Sequence, residues 1–122
     1  MDIKKILAAC DHTVLAPGTV WDDVKNLIDD AEKYGTASVC ISPCFVARAA
    51  EYAENVKVCT VIGFPSGCMT TAAKVFETRD AVENGADEID MVMKHVIHQV
   101  SIVMHIMHQV ELLDILILME IL

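Results

Sequence analysis

Polar side chains that could carry chemistry stand beside or inside apolar runs of this chain. Asp11 and Thr13 follow the run at 6–10, Ser42 follows the run at 37–41, and Asp90 interrupts the run at 89–92. A carboxylate among apolar residues needs a partner or a shifted pKa. Asp90 is therefore either a functional acid or an outward-facing strand residue. Asp11 and Thr13 also fit a turn that ends a strand, because Asp and Thr are common there.

Lys94 follows Asp90 by four residues. In an extended strand residues 90, 92 and 94 share one face, so Lys94 could lie beside Asp90. An amine desolvated there could form an imine with a carbonyl substrate. The alternative, which we prefer, is a solvated lysine that opens a helix.

The histidines include two pairs at i, i+3 spacing, namely His95 with His98 and His105 with His108. Zinc would need a third ligand and partners that orient the imidazoles, and the sequence shows neither. We expect a polar helix face here and no bound metal.

The cysteines are five in number, without a CxxC spacing: Cys10, Cys40, Cys44, Cys59 and Cys68. Cys10, Cys40 and Cys59 lie in apolar runs typical of buried strands, where a thiol packs as a small apolar group. We therefore expect reduced thiols in a cytoplasmic protein, rather than a disulfide framework or a zinc site.

Short apolar runs alternate with helical periodicity over the first ninety residues. Strands are predicted at 6–10, 37–41, 56–62 and 87–92. The intervening helices are predicted to begin after Thr19, at Pro43 and after Thr70, and Gly35 fits the left-handed residue that ends the first of them. In the third helix Val75, Phe76 and Val82 are expected to face inward.

This alternation predicts an α/β fold with a parallel sheet covered by helices. Both a (β/α) barrel and an open doubly wound sheet fit the spacing. No GxGxxG or GxxxxGK[ST] motif follows a strand, which disfavours a nucleotide-binding fold. Polar residues at the carboxyl ends of strands are typical of the catalytic face of a barrel.

The composition changes after Met93. Residues 94–122 contain no Gly, Pro, Arg, Thr or aromatic residue. Periodicity predicts an amphipathic helix at 94–110 and leaves 111–122 open between helix and strand. We therefore divide the chain into residues 1–93 and an apolar, histidine-rich tail at 94–122 that we expect to be helical.

The overall composition excludes several classes of protein. Apolar residues make up 54% of the chain and the mean hydropathy is +0.44, which excludes intrinsic disorder. The net charge of −9 disfavours nucleic acid as a partner. The most apolar stretch, 112–122, is interrupted by Asp114 and Glu120, and no signal peptide is evident, so neither a membrane partner nor export is expected.

Four blocks of sequence, in order, resemble the deoxyribose-phosphate aldolases over about residues 1–92. These blocks are DHTVL at 11–15, SVCISPC at 38–44, VCTVIGFP at 58–65 and ETRDAVENGADEIDMV at 77–92.

The resemblance implies a (β/α) TIM barrel and a class I aldolase. Such an enzyme reversibly cleaves 2-deoxyribose 5-phosphate to glyceraldehyde 3-phosphate and acetaldehyde, through a lysine Schiff base and without a cofactor. Asp90 matches the family's proton-relay aspartate. Asp11 and Thr13 match polar residues near the substrate, and Cys40 matches a cysteine close to the pocket.

The chain departs from the family pattern after Val92. The family's Schiff-base lysine and its partner lysine lie on later strands, and a whole barrel needs about 250 residues. We therefore expect a half-barrel of four βα units plus a helical tail, inactive alone, from a truncated or frame-shifted coding sequence. The alternatives are a non-catalytic remnant or oligomerising module, and a half-barrel completed by a separate chain. Exposed sheet edges would favour homo-oligomers or aggregation, unless the tail covers them.

Overall fold

The computed structural model describes residues 2–94 and 116–118. The strands are β1 (Asp11–Val14), β2 (Ser38–Ile41), β3 (Lys57–Ile62), β4 (Glu88–Met91) and β5 (Leu116–Leu118). The helices are α1 (Ile3–Leu7), α2 (Trp21–Tyr34), α3 (Val46–Tyr52) and α4 (Thr71–Glu83), and a 3₁₀ turn at Pro43–Phe45 precedes α3.

The strands form one parallel sheet in the order β1-β2-β3-β4-β5, which is also their order in the chain. A doubly wound sheet reverses its strand order at a switch point. An unreversed order with right-handed crossovers instead places successive helices on the same side of the sheet. The architecture is therefore that of a half-barrel, and the doubly wound alternative is excluded.

The helix-facing side of the sheet carries the main apolar core. Alternate strand residues lie there with almost no exposed surface, namely Val39, Ile41, Val58, Ile62, Ile89 and Met91. They pack in one cluster with residues of the helices, including Val24, Ile28, Val46 and Ala49. Because strand side chains alternate between faces, this arrangement turns the intervening residues toward the opposite side of the sheet.

The ends of α2 confirm one predicted boundary and correct another. Gly35 follows the helix at φ +71°, as expected of a left-handed terminal residue. Thr19 does not cap the amino end. The helix begins after Val20, whose amide donates to Asp23 Oδ2 at 2.9 Å, and the buried Thr19 hydroxyl has no hydrogen-bond partner among the described residues.

Two other predictions about the core were wrong. The apolar run at 6–10 is not a strand: it covers the end of α1 and the turn after it, and Cys10 is exposed. Phe76 is 71% exposed, although Val75 beside it is buried. The side chains of α4 that face the core are Lys74, Val75, Thr78 and Ala81. Of the neighbours Val75 and Phe76, only Val75 therefore packs into the core.

The tail contributes β5 to the described structure. Leu116–Leu118 pairs parallel with β4, and Glu88 is opposite Leu116. A strand therefore replaces the expected helix at these three residues. The predicted helix at 94–110, apart from Lys94, and the histidine pairs lie outside the described residues, and the division at residue 93 stays a prediction. Within the described structure, no helix is long and apolar enough to cross a membrane.

Candidate functional site

The inner face of the sheet, opposite the helices, is the polar one. Strand register pairs Thr13 with Cys40 and Cys40 with Cys59, and it pairs Val61 with Asp90. Register partners in a parallel sheet point to the same side. The side chains most useful for chemistry are therefore gathered on one surface.

A cavity of about 370 Å³ opens on this inner face. Its lining residues are Cys10, Asp11, Thr13, Leu15, Cys40, Val61, Phe64, Pro65, Asp90 and Val92. The four residues singled out in the sequence as site candidates, Asp11, Thr13, Cys40 and Asp90, thus lie in one wall. One detail of their placement differs from expectation, since Asp11 begins β1 instead of following it.

Asp90 lies on the cavity side of β4. Its neighbours Ile89 and Met91 are completely buried against the helices, whereas Asp90 is half-buried in the cavity wall. Strand alternation explains why an acid is tolerated within an apolar run, because its neighbours face the core and it does not. Its role in proton transfer stays a prediction.

A hydrogen bond between strands holds Asp11. The buried Ser38 hydroxyl on β2 donates to Asp11 Oδ1 at 2.7 Å. The Thr13 hydroxyl donates to the Asp11 carbonyl oxygen at 2.9 Å. The Ser38 contact ties β1 to β2 and orients the Asp11 carboxylate at the cavity edge, whereas the Thr13 contact lies within β1.

The thiols of Cys40 and Cys59 meet on the inner face. Cys40 is 4% exposed and Cys59 is 1% exposed. The pKa of the Cys59 thiol lies far above its usual range, because the adjacent Cys40 thiol, burial, and the nearby carboxylates of Asp90 and Glu88 all disfavour its thiolate. Two adjacent thiols in such surroundings do not both ionise, so Cys59 keeps its proton.

The cavity wall formed by the described residues contains no lysine. Lys94 is exposed and is not among the lining residues, so the structure does not bring it to Asp90. Lys57 forms an ion pair with Glu88 at 2.9 Å, and this raises the pKa of the amine. A protonated amine is a poor nucleophile.

Lys74 differs from the other lysines because burial lowers its pKa. Its Nζ donates to the Val92 carbonyl oxygen at 2.7 Å, from α4 on the helix-covered side. A lowered pKa is a property of imine-forming lysines. The geometry argues against that role here, because Lys74 is tied to the backbone at the end of β4 and lies outside the cavity lining.

Metal binding has no evident place in the described part of the chain. Over residues 2–94, no three His, Cys, Asp or Glu side chains are grouped as a metal site requires. The two histidine pairs after Lys94, which we expect to form a polar helix face, lie outside the described residues.

Several site residues escaped the sequence argument: Ser38, Cys59, Phe64 and Pro65. Nothing local in the sequence marks Ser38 or Cys59, because their place in the site follows from strand register: Ser38 is opposite Asp11 and Cys59 is opposite Cys40. Phe64 and Pro65 follow β3, and their approach to the cavity depends on a loop conformation that periodicity does not encode.

Comparison with known proteins agrees with this geometry. The family model of the DeoC/LacD family aldolases matches residues 5–110. A deoxyribose-phosphate aldolase from Clostridioides difficile (strain 630) is 56% identical over 92 residues, which cover 75% of this chain and 42% of that protein. One from Streptococcus pyogenes serotype M5 (strain Manfredo) is 54% identical over 94 residues, covering 76% of this chain and 42% of its own length.

Solved structures show the same relation. The deoxyribose phosphate aldolase from Aeropyrum pernix, described as having a unique tetrameric structure, superposes with a TM-score of 0.87 at 27% identity. The match covers 97% of this chain and 53% of that one. An aldolase named QR15 gives a TM-score of 0.84 at 29% identity, over 93% of this chain and 54% of its own. This chain thus spans about half the length of the proteins it matches, or less.

Proposed function

This chain belongs to the DeoC/LacD aldolase family, and from that membership we propose that it forms one wall of a deoxyribose-phosphate aldolase active site. The observation that carries the proposal is that Asp11, Thr13, Cys40 and Asp90 line one and the same cavity. These residues lie far apart in the sequence, at 11–13, 40 and 90, and the fold brings them to the same cavity.

The proposed reaction is the reversible cleavage of 2-deoxyribose 5-phosphate to glyceraldehyde 3-phosphate and acetaldehyde. Asp90 gives a proton to the carbinolamine hydroxyl, which leaves as water when the Schiff base forms, and takes a proton from the water that adds to the same carbon when the Schiff base is hydrolysed. Asp11 and Thr13 line the same cavity and offer oxygen atoms to the sugar hydroxyls. Cys40 contributes a small, weakly polar surface between them.

Two parts of the reaction need groups that the described wall does not offer. The cavity lining contains neither a lysine for the imine nor a cation for the phosphate. In this proposal both come from a segment equivalent to the part of the relatives that this chain does not match, supplied by another polypeptide or by further sequence. This chain by itself then has little or no turnover.

Reconstitution tests the proposal. The chain is coexpressed with the portion of the Clostridioides difficile aldolase that lies beyond the matched 92 residues, and 2-deoxyribose 5-phosphate cleavage is followed through glyceraldehyde 3-phosphate. We expect activity from the pair, little from either piece alone, and at least about a hundredfold loss with Asp90→Asn. Asp30→Asn, an exposed acid on α2, is the matched control and should retain the activity.

Other outcomes are equally informative. A copurifying but inactive pair would favour the alternative function, a non-catalytic or oligomerising half-barrel. Activity that survives Asp90→Asn would remove Asp90 from the proton relay.

We also propose that the chain self-associates and acts in the cytoplasm. Within the described sheet β1 pairs only with β2, so its other edge offers free backbone groups to a second chain. The described cysteines are free thiols, which suits a reducing compartment. Light scattering of the purified chain should give more than one protomer's mass, and a monomer at all concentrations would contradict self-association.

A further inference from the structure

Cys40 and Cys59 form a paired-thiol arrangement across neighbouring strands. They are register partners on β2 and β3, so both side chains project from the inner face. Neighbouring strands lie about 4.8 Å apart, and disulfides join Cα atoms separated by roughly 4.4 to 6.8 Å. The backbone therefore already holds the two residues at a spacing that a disulfide can bridge.

The two thiols also pack together. Cys40 and Cys59 lie in one small cluster of buried residues with Val61. The remaining cysteines differ, since Cys10, Cys44 and Cys68 are exposed. The contact is thus a property of this one pair among the described cysteines.

Access to the pair is one-sided. Cys40 lines the cavity, whereas Cys59 is not among the lining residues. A small oxidant that enters the cavity reaches the Cys40 sulfur first. Cys59 stands behind it as the nearest thiol.

We propose that Cys40 and Cys59 are a redox modification site, in which a hydroperoxide converts the two thiols into a disulfide between β2 and β3. The Cys40 sulfur, as thiolate, attacks one peroxide oxygen, the O–O bond breaks, and water leaves after protonation. The Cys40 sulfenic acid formed is then attacked by the Cys59 sulfur, whose proton leaves with the departing hydroxyl as a second water. The two sulfurs together lose two electrons, and hydrogen peroxide is reduced to two waters.

Burial of both thiols slows the reaction by limiting access of the oxidant, and the reaction accelerates with pH because thiolate is the reactive form of any cysteine. Oxidation also moves the Cys40 sulfur from the cavity toward β3. The wall that contains Asp90 and Cys40 therefore changes shape with the redox state.

The test uses the full chain with the exposed cysteines replaced (C10S/C44S/C68S), so that only Cys40 and Cys59 remain. The folded protein is treated with hydrogen peroxide, quenched, denatured in N-ethylmaleimide and weighed intact. We expect loss of two hydrogen atoms and of both alkylatable thiols together, and dithiothreitol should restore both. The same protein with Cys59→Ser added should instead gain oxygen or remain alkylated at Cys40.

Three results would overturn the proposal. Both thiols could remain alkylatable after peroxide, the protein could gain oxygen without losing two hydrogen atoms, or the disulfide could form as fast in urea as in the folded chain.

The unsubstituted chain is the control for misfolding of the variant. Fragment spectra of its non-reduced peptides should join residues 40 and 59, and a bond that joins other cysteines contradicts the proposal. Because the readout is a mass, its result does not depend on whether the proposed aldolase activity exists.

Discussion

Replacing Gly67 by alanine should destabilise the fold through contacts of backbone with backbone. Gly67 has φ +64°, and a Cβ there would lie 2.6 Å from the Met93 carbonyl carbon, 2.7 Å from the Lys94 amide nitrogen and 2.9 Å from the Val92 carbonyl oxygen. None of these atoms belongs to a flexible side chain. The segment at 92–94 or the loop around Gly67 would have to move.

The magnitude follows from two additive costs. A left-handed backbone costs a residue with a Cβ about 1 to 2 kcal/mol. Overpacking against atoms that yield poorly adds about 1 to 3 kcal/mol. Together they predict a loss of about 2 to 5 kcal/mol in the free energy of unfolding, a large share of the stability of an ordinary domain.

Gly35→Ala is the matched control. Gly35 has φ +71°, but nothing lies within 4 Å of the position of its Cβ. It should therefore lose only the backbone cost of about 1 to 2 kcal/mol. Urea unfolding followed by circular dichroism measures both variants. Equal losses for the two glycines would refute the packing of the Gly67 loop against residues 92–94.

Three further predictions concern the lysines, the core and the Asp11 contact. Burial lowers the pKa of Lys74 below 10.5. At pH values between the folded and the unfolded pKa, the unfolded chain therefore holds a proton that the folded chain has released. The free energy of unfolding should rise with pH over this interval, up to about 10.5. Lys74→Met should remove this rise in urea titrations at several pH values; the same dependence of the free energy on pH in the variant would contradict the burial of Lys74. Glu88 raises the pKa of Lys57, so the contribution of Lys57 to the free energy of unfolding depends on pH in the opposite sense. It is complete below 10.5 and is lost as the pH rises above that value. Ile89→Ala should lower the free energy of unfolding by about 2 to 5 kcal/mol, since Ile89 is completely buried. Phe76→Ala should change it by no more than about 0.5 kcal/mol, since Phe76 is 71% exposed. Similar losses for both variants in thermal unfolding would contradict the placement of α4. Asp11→Ala should cost about 1 to 3 kcal/mol, and more than Ser38→Ala, because it leaves the buried Ser38 hydroxyl without its acceptor; the reverse order in urea unfolding would argue against this hydrogen bond.

Much of the fold was predictable because it rests on local periodicity. The buried runs at β2, β3 and β4 and the helix ending at Gly35 are short-range signals, and the structure has them within a residue or two. The run at 6–10 misled because its apolar residues end a short helix that buries none of its side chains completely. Composition alone does not separate a buried strand from the last turn of a short helix.

The candidate site was predictable only in part, since it depends on which strands are neighbours. Asp90 stood out as an acid within an apolar run, but Ser38 and Cys59 carry no local signal. Their importance follows from register, which places Ser38 beside Asp11 and Cys59 beside Cys40. Lys74 shows the same limit, because its contact with the Val92 carbonyl joins residues 18 positions apart.

Borohydride trapping with 2-deoxyribose 5-phosphate tests the central claim most directly, which is that this chain supplies the Asp90 wall and another segment supplies the imine. The chain alone and the pair with the Clostridioides difficile portion are treated with substrate and borohydride, digested and mapped by mass. We predict no adduct on the chain alone and, in the pair, an adduct on a lysine of the added portion. An adduct on Lys74 or Lys94, absent from the Lys74→Met or Lys94→Arg variant, would contradict the account and place the Schiff base within this chain.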